Sequence, residues 1–277
     1  MDSGHVKKSA GSATVEDVPD LNNRVLIVTS STGIGAATAR LAAAAGAKLV
    51  IATSDEQLGW ELTAETAGEL WVGDLTQPGS ADSIVGQCLS KFARVDALFN
   101  AAGLSGRRYG DGPVDECSDE GWDVTLSYNL KVTFLMCRAV IQRMLEQAVR
   151  EDGERGTILN MGSVFDRSPE PRHFATHAYA AAKGGVAALS RSMAAYYAAQ
   201  KIRVNVIAPG LVRTPASERA DADPELAQFL QKKQPLTEGM FEAAAVARAA
   251  VFLLSSESRA VTGEVFHVDA GWSLTGV

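Results

Sequence analysis

Tyr179 and Lys183 stand four residues apart in Tyr179-Ala180-Ala181-Ala182-Lys183, a spacing that puts a phenol and an ammonium on one helix face. Such a couple can move a proton, with the phenol giving or taking it and the ammonium favouring phenolate. The spacing alone also fits an amphipathic helix with a tyrosine at the core edge and a solvated lysine. The catalytic reading gains its weight from residues that follow predicted strands elsewhere. Thr29-Ser30-Ser31-Thr32-Gly33-Ile34-Gly35 is a small-residue turn opening into a helix, where bare amides and a positive helix end suit a pyrophosphate. A tight turn without a ligand is the plain alternative. Thr53 stands where a dinucleotide fold places a ribose-binding carboxylate. Asp74 suits either an adenine amino group or the cap of the next helix. Asn100-Ala101-Ala102-Gly103, Ser163, and Pro209-Gly210 with Thr214 close three further strands.

Positioning these residues at one rim takes an alternation of short β-branched runs and longer Ala-rich ones, the signature of βαβ units and a parallel sheet. Strands are predicted at Val25–Val28, Lys48–Ala52, Leu70–Val72, Ala97–Phe99, Thr157–Met161, Arg203–Ile207 and Glu264–Val268. Helices are predicted at Ile34–Ala45, Ser80–Ala93, Asp119–Val149, Thr176–Gln200 and Glu242–Leu254, with Gly210 to Gly239 irregular. The expectation is an α/β single-domain, Rossmann-like, doubly wound parallel sheet of about seven strands flanked by helices, spanning residues 23–277. Residues 1–22 read as a flexible N-terminal extension.

The chain has 277 residues, a formal charge of −7, 46% hydrophobic and 21% charged residues, a globular composition. An acidic balance argues against a nucleic-acid partner. Cys88, Cys117 and Cys137 are widely spaced and odd in number, so they suggest free thiols in a reducing compartment rather than disulfides or a thiolate metal site. No apolar run reaches the roughly 20 residues of a membrane span, so the expected location is cytoplasmic with no membrane partner. His173 and His177 have a ligand-like spacing but no third ligand in view, and no metal is expected.

Taken in order, Gly33-Ile34-Gly35, Asp74, Asn100 to Gly103, Asn129, Ser163, Tyr179 with Lys183, Pro209-Gly210 with Thr214, and Val268-Asp269-Ala270-Gly271-Trp272 resemble the classical short-chain dehydrogenase/reductase family. The resemblance implies an NAD(P)-dependent oxidoreductase acting on CH–OH or C=O groups of a small carbonyl or alcohol substrate. Tyr179 would be general acid and base, Lys183 would lower its pKa and hold the nicotinamide ribose, Ser163 would orient the substrate oxygen, and Asn129 would anchor a relay water. It further implies cofactor contacts from Thr29, Ser31, Thr32, Gly33, Ile34, Gly35, Thr53, Asp74, Leu75, Asn100, Ala101, Ala102, Gly103, Tyr179, Lys183, Pro209, Gly210, Val212 and Thr214. A substrate lid would occupy about residues 211–240, and relatives commonly form homotetramers or dimers through the long helix and the Tyr179 helix.

Three departures stand out. The family's Thr-Gly start to the glycine loop reads Val28-Thr29 or Thr29-Ser30 here, so the first glycine is absent, and a threonine at positive φ would be strained. Thr53 replaces the aspartate of NAD-preferring relatives, which leans the cofactor from NAD towards NADP, although Thr32 stands where a basic residue would grip the phosphate. Ser163 and Tyr179 lie about three residues further apart than usual, with Phe165, Asp166, Arg167, His173, Phe174 and His177 between them, a segment expected to wall the substrate pocket. Arg107 and Arg108 suit an anionic or hydroxylated substrate, or plain surface charge. Competing readings are a cofactor-retaining isomerase or dehydratase, and a catalytically idle binding or regulatory protein, the latter motivated by the altered loop.

Overall fold

The structure, a computed structural model, describes residues 19–217 and 223–276. Seven parallel strands form one sheet in the order β3-β2-β1-β4-β5-β6-β9: β1 Val25–Val28, β2 Lys48–Thr53, β3 Glu69–Val72, β4 Ala97–Asn100, β5 Gly156–Met161, β6 Ile202–Pro209 and β9 Val265–Val268. Between β6 and β9, β7 (Val212–Arg213) and β8 (Phe241–Glu242) make a small parallel pair of their own. The helices are α1 Gly33–Ala44, α2 Glu56–Thr66, α3 Ser80–Phe92, α4 Asp119–Leu126, α5 Val132–Glu146, α6 His177–Tyr197, α7 Pro224–Lys233 and α8 Ala243–Leu254.

Side chains alternate across each strand, so both sheet faces are buried. Val25 and Ile27 of β1 face a layer containing Ile84 of α3, Met136 and Val140 of α5 and Ala194 of α6. Leu26 and Val28 face the other layer, with Ala36 and Ala39 of α1 and Val246 and Ala250 of α8. Alanines at the α1 contact let the helix lie close to the sheet. Because β1 sits between β2 and β4, the strand order reverses at β1 and β4, and the crevice opens at their carboxyl ends.

The sheet agrees with the sequence reading strand for strand, while three helical regions differ. α2 was not expected: it buries only Gly59, Leu62, Thr63 and Thr66, too sparse a stripe to show as a period. α7 lies inside the stretch taken as irregular, although Asp223 caps it and Pro224 opens it, both ordinary start signals. The predicted helix 119–149 ends at Glu146 and carries a π turn over Ser127–Lys131. This run, 119–146, is long and apolar enough to cross a membrane by length and composition, yet half of its apolar window is buried inside the protein.

Residues 1–18 of the expected N-terminal extension lie outside the described residues. Leu21 is buried, and its N–H donates to the Ala45 carbonyl, so packed structure begins before Asn23.

The rim opposite the crevice is tied by buried charge. Arg24 pairs with Asp152 and Glu154, and Arg203 with Glu154, each at 2.7 Å. Asp96, fully buried, meets Arg94 at 2.6 Å and Arg150 at 3.1 Å. These groups join the starts of β1, β4, β5 and β6.

Candidate active site

Tyr179 sits in the first turn of α6, which receives no side-chain cap from Thr176 at its N-terminus. Asp111, a buried residue of the loop after β4, supplies the cap instead. Its Oδ1 accepts the N–H of Ala178 at 3.0 Å and its Oδ2 accepts the N–H of Tyr179 itself at 3.1 Å. The His177 N–H donates to the Gly112 carbonyl beside it. A carboxylate at a helix N-terminus is favoured by the helix dipole as well as by the hydrogen bonds.

One turn along α6, Lys183 is buried, and its Nζ donates to the Met161 carbonyl at 2.9 Å while lying 5.4 Å from the Tyr179 ring centroid. Burial draws the ammonium down to about 8. Burial pushes the Tyr179 phenol up to about 12, with a hydrogen bond between Ser163 and the phenol acting against it. Ser163 follows β5, and its hydroxyl also accepts the Phe165 N–H at 3.3 Å. Phenol, hydroxyl and ammonium thus converge on one cavity of about 710 Å³ that runs along the carboxyl ends of the strands.

Asn129 lies in the π turn, fully buried and outside the cavity lining. Its Nδ2 donates to the carbonyls of Leu104 and Thr125, both at 2.9 Å, and its Oδ1 has no partner. A Cβ on Gly103 would fall 2.6 Å from that Oδ1 and 3.4 Å from the Lys183 Nζ. Glycine at 103 therefore keeps the two polar atoms within reach of a shared neighbour. π turns are rare and occur often at functional positions.

The altered glycine loop is not strained. Positive φ falls on Gly33, at +52°, and not on Thr29, Ser30, Ser31 or Thr32. Thr29 Oγ1 accepts the N–H groups of Ala101 at 3.0 Å and Ala102 at 3.1 Å, which locks the β1 loop to the β4 loop. Ser30 Cβ lies where a Cβ on Gly35 would come within 2.7 Å, and Gly33 lies against Thr214, whose Cγ2 would meet its Cβ at 3.0 Å. α1 has neither a side-chain cap nor an acidic residue in its first turn. Its opening amides, at cavity-lining Gly33, Ile34 and Gly35, are free of competing side-chain acceptors, so the residues present fit a dinucleotide pyrophosphate.

Towards the β2 end, Thr53 and Ser31 pair their hydroxyls at 2.8 Å, and Thr53 Oγ1 accepts the Asp55 N–H at 3.1 Å. Asp55 caps α2 through the Leu58 N–H and lines the cavity with Ser54. Asp74 is not a helix cap, since Gly79 holds that place at α3. It folds a turn, taking the Thr76 N–H and hydroxyl on Oδ1, both at 2.8 Å. Burial pushes its carboxyl up, but the hydrogen bonds from Thr76, Gln77 and Tyr128 outweigh this and hold it below its usual value.

Thr29, Ser31, Thr32, Ala101, Ala102, Gly103, Leu75, Pro209, Gly210, Val212 and Thr214 line the cavity with Ser163, Tyr179 and Lys183. Asn100 does not. Its side chain turns inward, where Nδ2 donates to Asn160 Oδ1 at 2.8 Å, and Asn160 donates onward to Ser190 at 2.9 Å. That side chain bridges β4, β5 and α6, which leaves the expected cofactor contact at Asn100 to its backbone.

The family model described as Enoyl-(Acyl carrier protein) reductase matches residues 28–273, nearly the whole chain. The chain belongs to the classical short-chain dehydrogenase/reductase family. It is 34% identical over 92% of its length to a 2,5-dichloro-2,5-cyclohexadiene-1,4-diol dehydrogenase of Sphingobium indicum, of which 98% is covered. It is 37% identical over 84% of its length to an inactive 2-(S)-hydroxypropyl-CoM dehydrogenase 2 of Xanthobacter autotrophicus, again covering 98%. A crystal structure titled ribose-5-phosphate isomerase, from Brucella melitensis, superposes with a TM-score of 0.83 at 31% identity, covering 93% of this chain and 95% of that one.

Within this short-chain dehydrogenase/reductase the segment between Ser163 and Tyr179 packs as an aromatic wall. Phe165 and Phe174 line the cavity in front of buried Trp272. His173 packs on Phe229 of α7 at 5.0 Å, while His177 is exposed. Arg107 donates to the His173 carbonyl, so it ties the β4 loop to this wall as well as lining the cavity. Arg108 lies over the Tyr109 ring at 4.7 Å. Residues 218–222 of the expected lid lie outside the described residues; α7 accounts for much of the remainder. Sequence reasoning missed Asp111 and Tyr128. Asp111 sits 68 residues from Tyr179, and nothing local marks it as that helix's cap.

Proposed function

We propose that this oxidoreductase transfers hydride between a nicotinamide cofactor and the carbon of a carbonyl or alcohol group, with Tyr179 as general acid and base. The observation that carries this is the convergence of Ser163, Tyr179 and Lys183 on a cavity whose other end is the uncapped amide turn of α1. The bound nicotinamide supplies or accepts the hydride and, when oxidised, adds positive charge beside the phenol. In reduction, Ser163 donates to the carbonyl oxygen while Tyr179 delivers its proton there. In oxidation, Tyr179 removes the hydroxyl proton, and the Lys183 ammonium lowers the cost of the phenolate. Lys183 also holds the cofactor ribose. Asn129 Oδ1, the unpartnered acceptor near Lys183, accepts from a water that passes the proton outward.

Thr53 carries the lean towards NADP, because it places no carboxylate against a 2′-phosphate. Asp55 lines the same end with opposing charge, and Arg108 is a cavity-lining cation. Calorimetric titration with NAD, NADH, NADP and NADPH separates the two cofactors. The idle reading is motivated by the altered glycine loop, and the ordinary backbone at Thr29 and Ser30 favours the catalytic reading over it. Exposed Trp122 and Phe134 on α4 and α5 support assembly as a homo-oligomer, and buried Cys88 and Cys137 suit the cytoplasm. In the decisive experiment, Tyr179→Phe lowers the carbonyl-dependent oxidation of NAD(P)H by about a thousandfold while nucleotide affinity is kept. A rate near wild type in that variant overturns the assignment.

A further inference from the structure

The wall beside the reacting hydroxyls is built of rings whose positions are held from several sides. Ser163 accepts the Phe165 N–H at 3.3 Å, so the residue that meets the substrate oxygen also places the first ring. That ring stands edge-on to Tyr179, centroids 6.3 Å apart at 72°. Phe174 lies against it at 5.2 Å and 31°. Trp272 backs both, at 5.6 and 6.0 Å, and is itself fixed by donating Nε1–H to the Ser168 carbonyl at 3.1 Å. Leu211 and Leu226 line the same cavity. Among the charged side chains that line the cavity here, Arg107 meets the His173 carbonyl, Arg172 meets Glu225, and Asp223 caps α7.

A hydroxyl-rich chain entering here would give up water for aromatic faces, leaving its hydroxyls without partners. An apolar ring would bury its surface against Phe165 and Phe174 and keep only its reacting oxygen polar, where Ser163 and Tyr179 meet it. We propose that the substrate is a secondary alcohol or ketone borne on an apolar carbocyclic ring, held by Phe165 and Phe174. The inference rests on the oxidoreductase reading above. In the oxidative direction the ring carbon loses its hydride to the nicotinamide and the hydroxyl loses its proton to Tyr179, leaving the ring ketone. The reductive direction reverses both transfers.

The test compares 2-decalone with the open-chain hydroxyketone erythrulose, using the full-length protein with NADH and with NADPH. The expected kcat/KM is at least about tenfold higher for the ring ketone. In Phe174→Ala the ratio of ring to open-chain kcat/KM falls about tenfold, mainly through KM, and Phe174→Leu recovers part of it. Equal or better use of erythrulose by the wild-type protein overturns the proposal, and needs no variant to fold. An unchanged ratio in folded Phe174→Ala or in Phe174→Leu also overturns it. Nucleotide that binds but is oxidised with neither ketone, nor with any other carbonyl compound, overturns the oxidoreductase reading itself and this proposal with it.

Discussion

Lys183 is a buried ammonium whose Nζ donates to the Met161 carbonyl, and its burial carries a cost. Its pKa falls from 10.5 to about 8 on burial. Between those values the unfolded chain holds a proton that the folded chain has released, so stability rises with pH across that window and the full cost is felt at neutral pH. Lys183→Met should therefore be more stable than wild type at pH 7, by on the order of 1–3 kcal/mol after allowance for the lost hydrogen bond. That advantage shrinks as pH rises from about 8 towards 10.5. Urea unfolding at pH 7 and at about pH 10 measures it, and the same variant should lose activity. A variant less stable at both pH values contradicts the assigned cost. The Tyr179 phenol, pushed up to about 12, remains protonated at neutral pH until positive charge gathers beside it. Oxidation should then accelerate with rising pH while reduction does not.

At the scale of elements, α6 is set in place by a residue from another part of the chain. Removing the Asp111 carboxylate leaves the N–H groups of Ala178 and Tyr179 without acceptors in a buried place. Asp111→Ala should cost about 1–2 kcal/mol of stability and lower kcat more than it weakens nucleotide binding, since the phenol loses its fixed position. Asp111→Asn keeps one acceptor and should fall between. Thermal melts and steady-state kinetics of both variants check this; a normal kcat in a destabilised Asp111→Ala would reduce the cap to a purely structural role. Helix legibility in the sequence followed burial. α1 and α8 announce themselves through alanine and valine at core positions, whereas α2 buries so little that its period is faint. α7 carries readable signals in Asp223 and Pro224, yet it is short and lies within the stretch from Gly210 to Gly239 that shows no sustained helical period. The π turn at Asn129 has no sequence signature, because one extra residue in a helix is accommodated by packing on both sides.

Across the whole molecule, the two rims of the sheet do different work. One carries the uncapped amides, small residues and the hydroxyls of Ser163 and Tyr179, and the other carries paired charge. Glu154 serves both Arg24 and Arg203, all three buried. Glu154→Ala removes the carboxylate shared by two buried guanidinium groups, leaving Arg24 to Asp152 and Arg203 to backbone carbonyls. It should destabilise the protein by about 3–5 kcal/mol, read by chemical denaturation, with kcat/KM of the surviving folded protein close to wild type. A loss under about 1 kcal/mol would mean that water or neighbouring acids replace the pair.

The sequence by itself determined the sheet, the family and the roster of small and hydroxyl residues at the strand ends. Those depend on short-range patterns, such as alternating apolar runs, a turn of glycines and a four-residue spacing, whose physics is local. It could not show that Asn100 turns inward to Asn160, that Thr29 bridges to Ala101 and Ala102, or that the missing glycine costs no strain because neither Thr29 nor Ser30 adopts a positive φ. Only the tertiary structure decided those, together with the Asp111 cap and the ring of Phe165 set against Tyr179. Each joins residues distant in sequence or depends on how a loop packs, and the direction of a side chain there is set by its surroundings rather than by its neighbours in the chain.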